Sequence, residues 1–484
     1  MCWAGWQPAA PIGAGNKTNL KVASQSFQQV KPKTFLPPLA VFLAVLLVYG
    51  VTAVPDLTFA FHSGDGGELI TAVLTGGVPH PPGYPTYLIL SRLTTLLPIT
   101  PVAYRFSLFS AFCGALAAAI TSATSRSLGL KGWQIALPGL TLAFMPLVWQ
   151  QAVVTEVYAL NLAFVSLFLW SLLGKRPSWL VGLLLGLSLT THLTSILLLP
   201  LTLLLTPAKK WPHLVTGLAL GLTPYILLPW LAQADSPVVW GRPNTLDGWW
   251  WLVSAQLYWP NQLSLPPAKV FPRLKEWSEV GLQQLLFAGW LLLPWSGWLE
   301  TEKKRWWLLV GTVVFYLLYA FSYDTSDALV NTLPAWLLLS LSLTAAFKRL
   351  GSWGFVLPFA LVLLNFSPIN RVEVHKVRPF AEQVLHSSPP DAILITSGDP
   401  DIFALWYFHF VEGQRPDVVV IDDQLFAFDW YRERVQALYP DLQGLTIDDV
   451  PAFRTLNANQ RPVCTVALID NGTMLASNSC SEEP

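Results

Sequence analysis

The sequence has 484 residues, of which 53% are hydrophobic and 12% are charged, and its mean hydropathy is +0.47. This is about half the usual share of charged residues. The apolar surface exceeds what one soluble core can bury, which excludes a soluble globular protein, and no nucleic-acid partner is expected. The net charge of zero hides a division, because residues 1–366 carry 21 Lys and Arg against 12 Asp and Glu, whereas residues 367–484 carry 8 against 17. We therefore expect a basic membrane part followed by an acidic domain.

The basic clusters set the predicted topology. Residues 1–34 contain four lysines and no acid, so the positive-inside tendency places this N-terminal segment in the cytoplasm. No cleavable signal peptide is expected, since the first apolar run begins near Phe35 and is long enough to remain as a span. Placing each later basic cluster on the cytoplasmic side predicts about eleven transmembrane helices within residues 35–366. They lie near residues 35–54, 103–124, 133–150, 157–173, 179–191, 193–206, 213–232, 280–298, 306–322, 329–347 and 352–366.

Residues 179–206 fit either one span or two. One long tilted helix would put the basic pairs at 175–176 and 209–210 on opposite sides of the membrane. We therefore predict two short segments that meet at Thr190–His192, each shorter than the ~20 residues that a full crossing needs.

The first outer loop, residues 55–102, carries a dense set of ionisable groups in an otherwise apolar region. Residues 65–78 and 84–97 are apolar but interrupted by Gly, Pro and Thr, so neither spans comfortably. We predict two helices that lie along the outer membrane surface, joined by the turn His80-Pro81-Pro82-Gly83. A re-entrant hairpin is the alternative.

Asp65 and Glu68 are the candidate catalytic residues. Transfer of a sugar from a lipid phosphate needs a carboxylate that takes the proton of the acceptor hydroxyl, and Asp65 is placed for that task. Gly64, Gly66 and Gly67 would leave the backbone open to a bulky substrate. Glu68 would share its helix face, so the two carboxylates can divide the work or bind a divalent metal such as Mg or Mn. The structural alternative is that Asp65 caps the next helix and Glu68 closes a capping box.

Other polar residues on the same predicted side are candidates for substrate binding. A cation or hydrogen-bond donor must hold the leaving phosphate, and a carboxylate or histidine at membrane depth more often has a function than none. The structural alternatives are a histidine that braces its turn, charged groups that mark the membrane interface, and Trp-rich loops that anchor at the headgroups. The predicted set is His80, Tyr84, Arg92, Arg105, Glu156, His192 and Arg242.

Residues 367–484 are predicted to form a small extracytoplasmic α/β domain. Residues 391–396 and 417–421 read as buried strands, and residues 401–412 and 428–438 as helices, an alternation typical of a parallel sheet. The acids at the strand ends resemble ligand-binding positions of such sheets, but we interpret them as helix caps and turn residues; they are Asp399, Asp401, Asp422 and Asp423. Cys464 and Cys480 either pair in an oxidising compartment or stay free.

Several motifs of the chain form a recognisable set: Asp65-Gly66-Gly67-Glu68-Leu69-Ile70, Gly77 to Pro85 with its His-Pro-Pro-Gly-Tyr-Pro run, Arg105 to Ala111, Thr155 to Tyr158, Thr191 to Thr194, Leu405 to Tyr407 and Gly413 to Val418. This set resembles one family, the former domain-of-unknown-function family that includes transmembrane protein 260, a protein O-mannosyltransferase of the GT-C type. The resemblance spans most of the chain and is strongest over residues 60–195.

The resemblance implies a GT-C fold and a polyprenyl-phosphate sugar donor, with Asp65 as the catalytic acidic residue of the first outer loop and Glu68 and His80 beside it. We therefore predict a multi-pass plasma-membrane glycosyltransferase that moves a sugar, mannose among the options, to an outer-face acceptor, protein or glycan. A transporter or flippase of a lipid-linked or sugar substrate is the alternative, and it would need charged groups within spans and related halves. A receptor-like protein would leave the one-sided set of acids unexplained.

Overall fold

The computed structural model describes residues 35–370, 376–470 and 474–480. The described residues from Pro37 onward belong to one compact unit. The predicted cytoplasmic segment, residues 1–34, lies outside the described residues.

The described residues up to 370 are almost entirely helical. Proline at the first turn of many of these helices fits that position, because its missing N–H would have no partner there. The α-helices are α1 (Leu36–Thr52), α2 (Gly66–Thr75), α3 (Pro85–Ser91), α4 (Val102–Ser125), α5 (Ala136–Phe144), α6 (Pro146–Ala152), α7 (Tyr158–Leu173), α8 (Ser178–Leu189), α9 (Leu199–Leu205), α10 (Trp211–Gly221), α11 (Leu228–Leu231), α12 (Leu246–Val253), α13 (Pro267–Leu299), α14 (Lys303–Ser322), α15 (Leu333–Ser342), α16 (Thr344–Leu350) and α17 (Val356–Asn370).

The protein is a polytopic α-helical membrane protein, but the predicted number of eleven spans is not confirmed. Among the described residues, four helical segments are long and apolar enough to cross a membrane: 102–128, 208–231, 303–322 and 344–370. A fifth is obtained if α5 and α6, which meet at a bend of 74°, count as one broken span. Five further apolar helical segments are shorter, at 10–17 residues. The sequence count of eleven includes these short helices, two of which, near 179–191 and 193–206, were predicted to be too short for a full crossing.

Two local predictions for this region are confirmed. Helix α8 ends at Leu189, and a short 3-10 helix begins at Leu193, so the chain breaks at the predicted Thr190–His192. The first outer loop forms two helices, α2 and α3, on either side of the His80 turn. That these two helices lie along the membrane surface stays a prediction.

The side of the membrane on which each loop lies also stays a prediction. If α8 and the segment after His192 return to the same face, reporter tags inserted after Lys131 and after Lys210 will both report the cytoplasm. The measurement is protection of each tag from a reagent that does not cross the membrane, with a tag after Asp247 as the outward control. Opposite sides for the Lys131 and Lys210 tags would contradict the two-segment reading.

A buried apolar cluster around Trp149 joins α1, α4, α5, α6 and α17. The Trp149 indole N–H donates to Thr52 Oγ1 at 2.9 Å, and the Tyr49 hydroxyl donates to the carbonyl of Ala143 at 2.5 Å. Buried polar groups of aromatic residues need such partners. These bonds fix the end of α1, and so the start of the first outer loop, against α5 and α6.

The C-terminal part is an α/β domain built on a four-stranded sheet, so the predicted fold class of this domain is confirmed. Strand order is β2-β1-β3-β4, with β1 parallel to both β2 and β3 and with β4 antiparallel to β3. The two predicted strands and two predicted helices are present, and Cys464 in β3 is disulfide-bonded to Cys480 in β4. Its elements are α18 (Val377–Ser387), β1 (Ile393–Thr396), α19 (Asp399–Trp406), β2 (Val419–Asp422), α20 (Asp429–Leu438), α21 (Val450–Asn457), β3 (Val463–Asp470) and β4 (Met474–Cys480).

This domain is tied directly to the outer loops of the membrane part. Arg378 in α18 makes ion pairs with Asp56 of the first outer loop and with Glu412 of its own domain. The Arg434 side chain in α20 donates to the carbonyls of Ser236 and Ala234. The domain is therefore held over the first outer loop and over the loop that follows α11.

Candidate active site

Asp65 stands at the N-terminal cap position of α2, but its side chain makes no capping hydrogen bond. Glu68, three residues on, is fully buried. Its Oε1 accepts a hydrogen bond from the backbone N–H of His80 at 3.0 Å, and its Oε2 lies 2.5 Å from His80 Nδ1. The capping box considered from the sequence is therefore not formed, and Asp65 is left with its side chain one-third exposed.

His80 lies between the two carboxylates. Its Nδ1 faces Glu68, and its Nε2 lies 2.9 Å from the hydroxyl of Tyr84 and 3.6 Å from Asp65 Oδ2. His80 is 6% exposed. Burial opposes the imidazolium, but the carboxylates of Glu68 and Asp65 outweigh it and raise the pKa of His80 to about 10. The ring is therefore charged at neutral pH.

Asp65 has a raised pKa. Loss of hydration is the largest cause, the imidazolium of His80 opposes it, and the neighbouring acids Glu68, Asp399 and Asp327 add to it, so that the pKa of Asp65 is about 7. A carboxylate with a pKa near the working pH can both accept and return a proton. Among the predicted residues, this environment marks Asp65 as the candidate base.

The backbone before His80 is held by the loop that follows α11. Val78 N–H donates to the carbonyl of Val238 at 2.8 Å, and Trp240 N–H donates to the carbonyl of Val78 at 3.0 Å. The indole of Trp240, 3% exposed, lies edge-on to His80 at 6.1 Å between ring centroids. Trp240 therefore forms one wall of the site.

The C-terminal domain forms another wall. The ring of Phe403 in α19 stacks on His80, with centroids 6.3 Å apart and planes 12° apart. A Cβ on Gly67 would lie 2.1 Å from the carbonyl oxygen of Phe403, so α2 and α19 approach closely only because residue 67 is glycine. The expectation that Gly67 opens the backbone to substrate is wrong, because it is packed against α19. Gly64 has no such neighbour within 4 Å.

Asp399, the first residue of α19, joins the same group of charges. Loss of hydration raises the pKa of Asp399 to about 6, with His80 opposing and Glu68 adding to the shift. Its interpretation as an ordinary cap is wrong, since Gly398 is the cap residue of α19 and the Asp399 side chain makes no capping bond. One feature of the sequence could have indicated that Asp399 lies at the site: it follows the carboxyl end of β1, and parallel sheets bind ligands at that end. Asp422, at the end of β2, does act as a turn residue, because its carboxylate accepts a hydrogen bond from the N–H of Gly398, just before α19, at 2.8 Å.

Glu156 lies close to Asp65 but faces no open space. It is 1% exposed, and neither carboxyl oxygen has a hydrogen-bond partner of standard geometry among the described residues. Burial raises its pKa well above the usual value, and Asp65 raises it further. The hydroxyl of Tyr87, which is also buried, lacks a partner too. Burial thus favours the neutral form of Glu156, which lies behind the site, and its predicted role in substrate binding stays a prediction.

Tyr84 and His192 are brought to the site. The Tyr84 hydroxyl contacts His80, and its ring stacks on His192 with centroids 6.4 Å apart. His192 Nδ1 lies 2.8 Å from Thr194 Oγ1, and the ring packs on Tyr158. His192 therefore reaches the site through Tyr84, from the break after α8.

The three predicted arginines are not brought to the site. Arg92 donates to the carbonyl of Val73 at 3.5 Å, and Arg105 Nε donates to the carbonyl of Ile99. Arg242 makes a two-bond ion pair with Glu433 of α20, at 2.6 and 3.0 Å. Their predicted role as phosphate ligands stays a prediction, and His80 is the basic group that acts on Asp65.

Asp65 and Glu68, the two carboxylates predicted to bind a divalent metal, are not arranged to hold a metal ion in this structure. Both oxygens of Glu68 are engaged by His80, which separates that carboxyl from Asp65. In the part of the chain that the structure describes, no group of three or more His, Cys, Asp or Glu residues is placed to hold a metal.

Comparison with known families matches two segments of the chain. Residues 65–215 match the Protein O-mannosyl-transferase TMEM260 N-terminal domain, and residues 377–447 match TMEM260-associated domain 2. The first segment contains Asp65, Glu68 and His80, and the second contains Asp399 and Phe403. The family resemblance predicted from the sequence is confirmed.

Two curated relatives are protein O-mannosyl-transferases. The chain is 30% identical to Protein O-mannosyl-transferase TMEM260 of Mus musculus, over 83% of this chain and 64% of the relative. It is 21% identical to Protein O-mannosyl-transferase tmem260 of Dictyostelium discoideum, over 90% of this chain and 64% of the relative. The chain thus spans less than two thirds of the length of these relatives.

A solved structure shows the fold. The crystal structure of ArnT from Cupriavidus metallidurans bound to undecaprenyl phosphate aligns with a TM-score of 0.58 and 14% sequence identity, over 88% of this chain and 92% of ArnT. At that identity the likeness concerns the fold alone, and the fold is of the GT-C type, as predicted.

Proposed function

Because residues 65–215 and 377–447 of this chain match the two TMEM260 domain models, we propose that the protein is a GT-C type membrane glycosyltransferase. It moves a sugar, with mannose the first candidate, from a polyprenyl-phosphate donor to a hydroxyl of an acceptor on the extracytoplasmic face. The observation that carries the proposal is the arrangement of a partly exposed Asp65 beside a buried His80 that Glu68 holds by two contacts.

The chemistry follows from that arrangement. The Asp65 carboxylate takes the proton of the acceptor hydroxyl as its oxygen attacks the anomeric carbon of the sugar. The bond from that carbon to the phosphate oxygen breaks, and its electron pair leaves with the lipid phosphate, which inverts the anomeric centre. The imidazolium of His80, 3.6 Å from Asp65, favours the ionised form of the Asp65 carboxylate and supplies positive charge beside the reacting groups.

Glu68 acts through His80. Its two oxygens receive the backbone N–H and Nδ1 of that residue, so both the position and the charge of the imidazole depend on it. Glu68 is therefore a positioning residue in this mechanism rather than a second base.

The extracytoplasmic location has independent support. A disulfide between Cys464 and Cys480 suits an oxidising compartment. Asp65, Glu68, His80 and Asp399 lie outside the helices that are long and apolar enough to cross a membrane, whereas a transporter would need such groups within its spans.

The test is an assay on membranes that contain the protein. A panel of polyprenyl-phosphate sugars is supplied, and release of the lipid phosphate and transfer of labelled sugar are measured together. Polyprenyl-phosphate mannose is expected to give the highest rate. Absence of lipid-phosphate release with every donor would overturn the proposal.

The same assay yields a pH prediction. Since the base must be ionised, kcat/KM is expected to rise with pH through the raised pKa of Asp65, about 7. Below that value the rate falls about tenfold per pH unit, and above it the rate reaches a plateau. Loss of the His80 charge ends the plateau only near pH 10. A constant rate from roughly pH 5 to pH 7 would contradict this role for Asp65.

A further inference from the structure

A groove of about 600 Å³ lies between α5 and α17, away from the site described above. Helix α17 belongs to the segment 344–370, which is apolar enough to cross a membrane and has only 17% of its most apolar stretch buried inside the protein. The groove therefore opens toward the hydrocarbon of a membrane. Its apolar walls include Leu140 and Phe144 of α5, Phe355 in the turn before α17, and Val356, Phe359 and Val362 of α17.

One end of this groove is basic. Trp353 lines that end, and Lys348 and Arg349 stand just before it in the last turn of α16. Lys131 belongs to the neighbouring turn, since the side-chain amide of Gln134 donates to the carbonyl of Lys348 at 3.3 Å. The side chains of Lys131, Lys348 and Arg349 are exposed, and within the described ranges none of them forms an ion pair or a hydrogen bond. Three cations at this end are thus available to an anion.

The nearest acid, Glu300, does not neutralise these cations. It follows α13, which packs on α16 where the N–H of Ala346 donates to Ser296 Oγ at 3.3 Å. The Glu300 carboxylate accepts from the two backbone N–H groups that follow it, at 2.9 and 3.0 Å, and lies 3.9 Å from the guanidinium of Arg305. Residues 300–305 carry three basic residues against two acids. The basic end of the groove therefore keeps a positive charge.

This basic end lies far from the active site. Helix α4 begins beside the C-terminal domain, where the N–H of Ala103 donates to the hydroxyl of Tyr407 at 3.2 Å. It ends at Ser125, whose hydroxyl donates to the carbonyl of Ile135 at 3.1 Å, in the turn that follows Lys131. The 24 residues of α4 rise by about 36 Å, roughly the thickness of a membrane. A lipid with its headgroup at the basic end therefore sits in the leaflet opposite to the active site.

We propose that the groove binds an anionic phospholipid of that leaflet. An acyl chain lies between α5 and α17, and the phosphate headgroup lies against Lys131, Lys348 and Arg349. Basic pockets between transmembrane helices bind acidic lipid headgroups, and the volume falls within the roughly 300–1,000 Å³ of pockets that enclose small ligands. Trp353 is 77% exposed at the headgroup end, where interfacial tryptophans stand. The inference does not depend on the proposed sugar transfer.

The first test concerns the headgroup. The purified full-length protein in detergent is mixed with equal amounts of phosphatidylglycerol and phosphatidylcholine that have the same acyl chains, and bound lipid is measured by native mass spectrometry. Phosphatidylglycerol is expected to occupy the protein about tenfold more than phosphatidylcholine, with a smaller ratio at high salt. The double variant Lys348→Gln/Arg349→Gln is expected to lower the ratio to about twofold. Its matched control is Lys209→Gln/Lys210→Gln, which removes two exposed basic residues before α10 and should keep the ratio.

The second test concerns the acyl chain. Val356 lines the groove and is 57% exposed, so Val356→Trp fills the groove without disturbing a packed core. It is expected to lower the retention of both phospholipids by at least about fivefold, because the bulky ring occupies the space of the chain. The matched control is Leu363→Trp, on the same helix and 61% exposed, which is not part of the groove wall and should retain lipid as the wild type does. Thermal midpoints are recorded for every variant.

Three results would overturn the proposal. Equal occupancy by the two phospholipids, or an unchanged ratio in Lys348→Gln/Arg349→Gln with a normal thermal midpoint, removes the headgroup site. Unchanged retention in Val356→Trp removes the groove as the place of the chain. Polyprenyl phosphate that displaces phosphatidylglycerol from the wild type and is lost in Val356→Trp would assign the groove to that lipid instead, and a dimer that excludes phospholipid would assign it to a second copy of the chain.

Discussion

Replacement of Asp65 by asparagine is expected to lower sugar transfer by a factor of about 10² to 10⁴, the usual contribution of a general base. Asparagine keeps the size of the side chain but cannot take the acceptor proton. Folding and membrane insertion should be unchanged, because the Asp65 side chain makes no capping hydrogen bond in the wild type. The measurement is transfer of labelled sugar per mole of protein, with expression and thermal midpoint recorded for each variant.

Asp247→Asn is the matched control for Asp65→Asn. It removes an exposed acid from the outer loop region, in the first turn of α12, and should leave transfer unchanged. Full activity of Asp65→Asn with a polyprenyl-phosphate sugar would remove Asp65 as the base. Equal losses in both variants would point to a general effect of charge.

Replacement of Gly67 by alanine is expected to push α2, which carries Glu68, away from α19, which carries Phe403. The added methyl would lie 2.1 Å from the carbonyl oxygen of Phe403, and neither backbone can yield without moving α2 from α19. Overpacking of this kind costs about 1–3 kcal/mol of folding free energy. Transfer should fall by at least about tenfold, because Phe403 no longer covers His80 and small displacements at a reaction centre are costly.

The matched control for Gly67→Ala is Gly64→Ala, three residues earlier in the same loop, where nothing lies within 4 Å of the new methyl. Thermal midpoints in detergent and rates of transfer are measured for both variants. A Gly67→Ala protein with the midpoint and the rate of the wild type would show that the contact between α2 and α19 is not needed.

Structural features that depend on residues close together in the sequence were predicted correctly. The turn at His80, the break at Thr190–His192 and the strand and helix order of residues 391–438 follow from Pro, Gly and hydrophobic patterning, which act locally. The apolar helices were also found, but not their lengths, because a bend such as the one between α5 and α6 is set by packing against other helices.

The remaining features depend on contacts between distant residues. Phe403 and Asp399 meet His80 only through the docking of a domain, and a single sequence carries no signal for that pairing. Arg92 and Arg105 were predicted as phosphate ligands because they are near the first outer loop in sequence; in the structure they donate to nearby carbonyls, and their role stays a prediction. The sequence chose Asp65 as the base and left the part of Glu68 open, and only burial distinguishes Glu68, which holds His80, from the partly exposed Asp65.

The wall that Phe403 and Asp399 contribute also bears on the order of events during synthesis. Helix α19 follows every membrane helix in the chain, so until the C-terminal domain has been made and has docked, Asp65 and His80 lack the covering ring and the second exposed acid. Under the proposed function, we therefore expect no sugar transfer by a nascent chain that has not yet passed residue 403.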